Sequence, residues 1–352
     1  MENSKTVSIL YESPKQKTGV YRYSKSLINV LRGTGLKVEE FPIRFIQPVI
    51  FGKPVGGWVS QEIGSMLARP HGVIVHSTSP HVVTRRTNVV TIHDLIRYKL
   101  QDLYPSLPLD RKYSEYVIKR SLGKDRIIAV SHHVKDDITR MFGIDPDRID
   151  VVYFNVDTTL YHHVSGNPFP DDGKIHLILI TDYNPRKRLD KLLPELSGRS
   201  DMDIYIIGRT DVWPRQYAYA KEYSDRSKNV HILGYLDFES MREYLSAADL
   251  FVFHTVDEGI GMPPVEAMAC GTNTLVNDIP VFREFLREKS FYFTEEDSFV
   301  DRVMDALAHK RNRDELIKFA SDYSSSNTRK QLLRAYGRIV PEIDEINARS
   351  TD

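Results

Sequence analysis

Glu258 and Glu266 stand eight residues apart in the run Glu-Gly-Ile-Gly-Met-Pro-Pro-Val-Glu. Ionised carboxylates only accept hydrogen bonds, which suits them to the hydroxyls of a sugar or a ribose. Between them Gly259 and Gly261 carry no side chain, so a ligand can come close to the backbone N–H groups. Further upstream, Pro185-Arg186-Lys187-Arg188 offers cations for a phosphate, and Gly208 and Gly234-Tyr235 offer further points of close approach. An acidic pair alone is also what an ordinary helix-start loop would show. Its chemical meaning therefore depends on what else reaches the same place.

The flanking elements decide that. Leu250 to His254 is a short apolar run with strand character, and Thr272 to Val276 is another. Between them Pro263 and Pro264 suit the first turn of a short helix, and Gly271 suits its stop. This reading puts Glu258 in the loop and Glu266 in the first helical turn, where the helix dipole stabilises a carboxylate. The second half of the chain continues the pattern in both directions. Strands are expected at His176–Thr181, Asp203–Ile207 and Val230–Leu233, with helices at Leu189–Leu196 and from Asp237 to Ala248. Lys187, Gly208, Gly234 and Glu258 then all fall just past the carboxyl ends of strands. In a parallel sheet that is one crevice edge, and cations, glycines and carboxylates gathered there suit a sugar nucleotide.

The first half alternates in the same way. Val7 to Tyr11 reads as a strand. A turn with Pro14 and Gly19 follows, then a helix whose Val20, Tyr23, Leu27, Val30 and Leu31 form one apolar stripe before Gly33 and Gly35. Val73–His76, Val89–Ile92, Arg126–Val130 and Ile149–Tyr153 are further strands, with a helix over Leu109–Leu122 and Ser131 capping another. His93 follows the second of these strands. Its position suits contact with a reacting sugar, and equally a hydrogen-bonded structural histidine. Residues 41–64, with Phe45, Ile46, Val49, Ile50, Phe51 and Trp58 broken by prolines and a Gly56-Gly57 pair, read as an apolar loop. His162 to Gly173 is the best linker. In the C-terminal region, helices are expected at Ser298–Ala308, Arg313–Phe319 and Asn327–Val340. Alternation in both halves implies an α/β protein of two doubly wound domains, residues 1–165 and 174–326.

Composition narrows the class. The chain has 352 residues, 41% hydrophobic and 27% charged, as expected for a globular protein of about two domains. No run of about 18 apolar residues marks a membrane span, and the N-terminus shows no secretory pattern. Cys270 is the one cysteine, which rules out an internal disulfide and fits a reducing compartment. Asp201-Met202-Asp203 and Asp145-Pro146-Asp147 look like metal-binding Asp-x-Asp pairs but sit at a strand start and in a proline turn, so they read as caps. The formal net charge is zero, but residues 1–165 carry 23 basic against 16 acidic side chains, whereas the remainder carries 25 against 32. A basic half suits an anionic acceptor or membrane surface, or simply complements the acidic half. A nucleic-acid-binding reading ranks last, because no concentrated basic or aromatic-basic run is present.

The stretch from Glu258 to Gly271 resembles the E-x7-E signature of retaining GT-B glycosyltransferases, specifically glycosyltransferase family 4. Thr18-Gly19-Val20-Tyr21-Arg22-Tyr23 is similar to that family's glycine turn and first helix, and Val90-Thr91-Ile92-His93-Asp94 to its strand with a histidine near the donor sugar. Ala129-Val130-Ser131, Val151–Asp157, Asn229–Tyr235 and Ala247–Phe253 extend the likeness over most of the chain.

The resemblance implies a GT-B architecture, two Rossmann-like domains facing a cleft, with a C-terminal helix of about residues 327–352 packing back on the first domain. It implies transfer of a hexose from a UDP-, GDP- or ADP-sugar to an acceptor hydroxyl, with retention and with no metal or other cofactor. Glu258 would hold the donor sugar's hydroxyls, the amides of Ile260 and Gly261 the sugar or phosphate, and Glu266 the ribose. Lys187, with Arg186 beside it, would neutralise the leaving diphosphate. Gly19 would add amide contacts, His93 would lie beside the anomeric centre, and Gly234 and Tyr235 would flank the base. The acceptor would be a glycan, a lipid-linked group or a protein hydroxyl, and the enzyme would be cytoplasmic with peripheral contact to anionic membrane. One departure stands out. The family often has an arginine about six residues before this lysine, where the chain has Thr181, with Asp182 next. Arg186, Arg188 and Arg209 are the substitutes within reach. A catalytically weak nucleotide-sugar-binding protein is the alternative that this departure raises.

Overall fold

The computed structural model describes residues 6–13, 18–44, 49–50, 53–54, 57–104 and 108–349. The chain forms two compact units, one of Met1–Asn155 with Ser325–Asp352 and the other of Val156–Ser324. Each is an α/β unit on a six-stranded sheet in which every strand pairing is parallel.

In the first unit the strand order across the sheet is Lys37–Arg44, Thr6–Ser13, Ile74–Ser77, Val89–Ile92, Arg126–Ala129 and Ile149–Val151. Numbered along the chain this is 2-1-3-4-5-6, and the order reverses at Thr6–Ser13. Ile74–Ser77 and Val89–Ile92 are buried at every position, as expected of strands covered on both faces. The helix Gly19–Arg32 starts where Thr18 Oγ1 accepts from the Tyr21 amide at 3.2 Å, and it buries Tyr23, Leu27, Ile28, Val30 and Leu31. The returning helix Ser325–Gly337 packs against it, and Tyr336 lies buried against His76.

In the second unit the order is Val230–Gly234, Met202–Ile207, Ile175–Ile180, Leu250–Phe253, Thr274–Asn277 and Phe291–Phe293. Numbered along this unit it is 3-2-1-4-5-6, the order of a dinucleotide-binding sheet. The reversal falls between Ile175–Ile180 and Leu250–Phe253, so the loops leaving those two strands diverge and leave a crevice at their carboxyl ends. Leu177, Leu179, Ile204, Ile206, Leu250, Val252 and Leu275 make the centre of one core, closed by Leu189, Leu192, Leu193 and Leu196 from the helix Leu189–Leu196.

Several expectations are corrected. Residues 41–64 are not simply loop, because a helix runs from Gly57 to Leu67 and Val49–Ile50 pairs antiparallel with Lys53–Pro54. Phe45, Ile46, Pro48, Phe51 and Gly56 of that stretch lie outside the described residues, as does Pro14 of the first turn; of Val49, Ile50 and Trp58 only the backbone is described. The helix expected over Asn327–Val340 stops at Gly337 and a second one starts at Pro341, since glycine weakens a helix and proline favours its first turn. Lys37–Arg44 is a strand that its charge and Pro42 conceal in the sequence, and Pro42 is tolerated because this strand is at the sheet edge. The Asp-x-Asp pairs are held by protein groups. Asp145 accepts from the Asp147 amide at 2.9 Å, and Asp203 is buried against Lys174 Nζ at 3.1 Å.

Candidate functional site

The two loops at the reversal of the second sheet bring three charged side chains together. Pro185–Lys187 is a single 3-10 turn after Ile175–Ile180, begun by Asn184, whose side chain accepts from the Arg186 amide at 3.2 Å. Its last residue donates Lys187 Nζ to Glu258 Oε1 at 2.5 Å. Arg186 Nη1 donates to the same carboxylate oxygen, to Thr255 Oγ1 at 2.8 Å and to the Asp257 carbonyl at 3.0 Å. The backbones are also tied, with the Val256 amide donating to the Arg186 carbonyl at 2.9 Å. Lys187 Nζ lies 3.7 Å from the centroid of the Phe253 ring. The side chains are only 8% (Lys187), 16% (Arg186) and 12% (Glu258) exposed.

Burial sets the electrostatics. It pushes the Lys187 ammonium down to about 8, with Arg186 adding repulsion and Glu258 opposing both. Burial pushes the Glu258 carboxyl up, but Arg186 and Lys187 more than offset this, and it stays below the ordinary carboxylate range. The result is an ionised carboxylate between two cations, with a net charge of +1 while Lys187 is protonated.

Backbone strain surrounds this turn. Tyr183 and Arg188 adopt left-handed φ of 60° and 48°, and only Arg287 among the other described non-glycine residues has a positive φ. Such conformations persist only where surroundings enforce them, and they collect at functional sites. The Tyr183 ring is fully buried, edge-on to Tyr217 at 5.3 Å. Of the three arginines available in place of one at Thr181, Arg188 pairs with Asp190 at 3.2 Å and Arg209 with Asp211 at 2.9 Å. Arg186 is the one that reaches Glu258.

The signature helix runs from Met262 to Ala269, with Gly261 before it in the left-handed region at φ +66°. A Cβ there would lie 2.4 Å from the Phe282 ring, so only glycine fits. Its stop is a Schellman turn, the Gly271 amide donating to Met268 at 2.9 Å and the Thr272 amide to Ala267 at 3.0 Å. Glu266 is the fifth helical residue, so it lies in the second turn rather than the first. The dipole effect fades within one turn and does not reach it. Glu266 is buried, as is Gly259, whereas Ile260 is half-buried. Gly234 takes φ +73° and its carbonyl accepts from the Gly208 amide at 2.8 Å, while Tyr235 is exposed.

In the first unit His93 is half-buried and held in place. Its Nε2 lies 2.8 Å from the Thr78 carbonyl, which can only accept, so the neutral ring carries its proton there and leaves Nδ1 as an acceptor. Tyr23 meets it edge-on at 4.7 Å, and burial lowers its pKa. Thr78 is fixed in turn by Leu10 and by Ser24 Oγ at 2.7 Å. Gly19 is the first residue of its helix, and no atom lies within 4 Å of where a Cβ would stand. The protein's own packing therefore does not require glycine there. Tyr183 and Thr78 carry no motif and were not legible in the sequence, and Phe253 was read only as part of an apolar strand and not as a partner of Lys187. Thr255 alone had a weak signal, as a hydroxyl three residues before the first glutamate.

Comparison with known proteins bears on the family and the fold. The family model described as Glycosyltransferase Family 4 matches residues 21–160, and that described as Glycosyl transferases group 1 matches residues 166–323. The O-antigen chain mannosyltransferase RfbU of Salmonella typhimurium is 27% identical over 229 residues, 64% of this chain. The matched stretch spans 61% of that protein's own length. Among solved structures, sucrose-phosphate synthase from Thermosynechococcus elongatus superimposes with a TM-score of 0.70 at 15% identity, covering 98% of this chain and 99% of that one. Anabaena HepE in complex with UDP and glucose gives 0.60 at 15% identity, covering 98% and 99%. At such identity these structures speak for the fold alone.

Proposed function

The chain belongs to glycosyltransferase family 4 and has the GT-B architecture, and from that premise we propose that it transfers a hexose from a nucleotide-diphosphate sugar to an acceptor hydroxyl. The observation that carries this reading is the Arg186–Lys187–Glu258 cluster at the order reversal of the second sheet. Two preorganised cations suit a diphosphate, and a carboxylate beside them suits the hydroxyls of the sugar attached to it.

In this reading Arg186 and Lys187 hold the diphosphate and stabilise the charge that grows on it as the glycosidic C–O bond breaks. Glu258 accepts from the sugar hydroxyls, and the amides of Gly259, Ile260 and Gly261 line the sugar and phosphate. Glu266 takes the ribose, with Gly234 and Tyr235 beside the base. Gly19 opens a helix capped by Thr18 and, having no side chain, lets the phosphates come close to the backbone there, while His93 Nδ1 accepts from the sugar. The acceptor oxygen attacks the anomeric carbon from the side the phosphate leaves, so configuration is retained. Its proton passes to the departing phosphate oxygen, and no metal is needed. The hexose class follows the mannosyltransferase relative, and the nucleotide-sugar class follows the UDP-bound neighbour.

The acceptor is a glycan, a lipid-linked group or a protein hydroxyl, and the enzyme works in the cytoplasm at the face of an anionic membrane. The exposed Ile63, Met66 and Leu67 on one face of Gly57–Leu67, with exposed Arg69 close by, support that location. No helix among the described residues is long and apolar enough to cross a membrane.

The test is release of nucleoside diphosphate from UDP-, GDP- and ADP-hexoses, with wild type and Glu258→Ala, in the presence of membrane-derived glycolipid acceptors. Turnover with one donor class, abolished in the variant, supports the reading. Donor binding without turnover under any acceptor instead supports the second reading, a nucleotide-sugar-binding protein, which the threonine at 181 favours.

A further inference from the structure

The cation pair is already occupied. Glu258 Oε1 takes bonds from both Lys187 Nζ and Arg186 Nη1, and Lys187 is closed on another side by the Phe253 ring. The remaining named acceptors of Arg186 are neutral and fixed. Thr255 is held by Asn277, whose Oδ1 accepts from the Thr255 amide at 3.0 Å and whose Nδ2 donates to the Thr255 carbonyl at 2.7 Å. The Asp257 carbonyl also accepts from Thr255 Oγ1 at 2.9 Å. Glu258, by contrast, reaches the cations by a flexible side chain from a loop outside helix and strand.

We propose that Glu258 is a built-in anion that a nucleotide sugar must displace: the diphosphate takes over Arg186 and Lys187, and the sugar's hydroxyls receive the released carboxylate. This rests on the glycosyltransferase reading above and deepens it, because it makes recognition of the two halves of the donor interdependent. A buried carboxylate stripped of both cations is strongly unfavourable unless new donors meet it. A free nucleoside diphosphate supplies anionic oxygens for the cations and nothing for Glu258. A nucleotide sugar supplies both. The same residue that holds the sugar thereby penalises the sugar-free nucleotide, which is also the product, so the exchange favours donor entry and product release.

Calorimetric titration separates this from simple additive binding. UDP, GDP and ADP and their hexose conjugates are titrated into wild type and Glu258→Gln, which keeps the side-chain shape and removes the charge. In wild type the conjugate of the accepted base binds at least tenfold more tightly than the bare diphosphate. In Glu258→Gln the bare diphosphate binds at least tenfold more tightly than it does to wild type, and the conjugate loses most of its advantage. Glu258→Ala repeats the ordering, so the result does not hang on one variant's folding. If the diphosphate binds both variants no more tightly than wild type, Glu258 does not compete for the cations and the inference fails while the enzyme reading stands. If none of these nucleotides binds wild type or variants, the glycosyltransferase reading falls and this inference with it.

Discussion

The backbone of Gly208 lies against the carbonyl of Thr181, so closely that a Cβ at position 208 would stand 1.6 Å from that oxygen. The Thr181 amide also donates to the Ile207 carbonyl at 2.9 Å, and Gly208 takes φ +150°. This contact fixes the strand end from which the Arg186–Lys187 turn departs. Gly208→Ala forces both backbone strain and a steric shift, and should cost about 2–4 kcal/mol of stability, combining the usual penalties for strain and overpacking. Urea denaturation measures it, and a variant as stable as wild type would contradict the close approach.

Lys187→Met should lower kcat/KM for the donor by about 10²–10³-fold, the usual effect of removing one preorganised group that stabilises transition-state charge. Glu258 keeps Arg186 as a partner, and a penalised buried charge is lost, so the thermal midpoint should change little. Steady-state kinetics beside a melting curve checks both halves. Near-normal kcat/KM in a folded variant would remove Lys187 from the chemistry.

The pH dependence follows from the same cluster. Lys187 is lowered to about 8 from an ordinary 10.5, so between those values the unfolded chain holds a proton that the folded chain has released. Its burial penalty is therefore complete below about pH 8 and is relieved as pH rises through that window. Glu258 behaves conversely, its stabilisation being present above the ordinary carboxylate value and lost on acidification, since its folded pKa is lowered. For activity, Lys187 loses its charge above about 8, and kcat/KM for the donor should fall on that alkaline limb. In Lys187→Arg the limb should vanish, because a guanidinium stays charged. A wild-type profile that stays level well past that value would refute the assignment.

His93→Ala should leave donor affinity within a few-fold and lower kcat by about tenfold to a hundredfold, if its Nδ1 lone pair meets the sugar as the reaction proceeds. The Thr78 carbonyl loses its bond from Nε2, and a water in the space the ring vacates can replace that donor, so the fold should survive. Unchanged kcat would make His93 a structural histidine.

Tyr336 and His76 test how the returning C-terminal segment is tied to its unit. Tyr336 Oη lies 2.7 Å from His76 Nδ1, and His76 Nε2 lies 2.8 Å from Thr91 Oγ1, all of it buried. Burial holds His76 neutral, near 3. Tyr336→Phe leaves a buried imidazole nitrogen unpaired and should cost about 1–3 kcal/mol by urea denaturation. A loss too small to measure would mean that water replaces the hydroxyl.

Most of the fold was legible because buried parallel strands are written as continuous apolar runs, as in Val89–Ile92 and Leu250–Phe253. Lys37–Arg44 escaped because an edge strand with charges and a proline lacks that pattern. The helix at Gly57–Leu67 escaped because its apolar face is partly exposed and two glycines precede or open it. At the site, the two glutamates, the glycines and the cation run were visible as residue types at a suggestive spacing. Which of three arginines serves was not, since their separation from Glu258 along the chain is more than seventy residues for Arg186 and similar for Arg188.

The alternating α/β plan, the family signature and the set of groups available for a sugar nucleotide are all readable from the residues in chain order. These are local properties, carried by hydrophobic periodicity and by residue types at short spacing. That Arg186 and Lys187 share one carboxylate oxygen of Glu258, and that Glu266 lies a turn beyond the helix start, emerges only in the folded chain. The order of strands across the sheet sets the first of these relations, and the helix start after Gly261 sets the second. The strand order brings residues distant in the chain to one edge, and burial there converts ordinary surface charges into a coupled cluster.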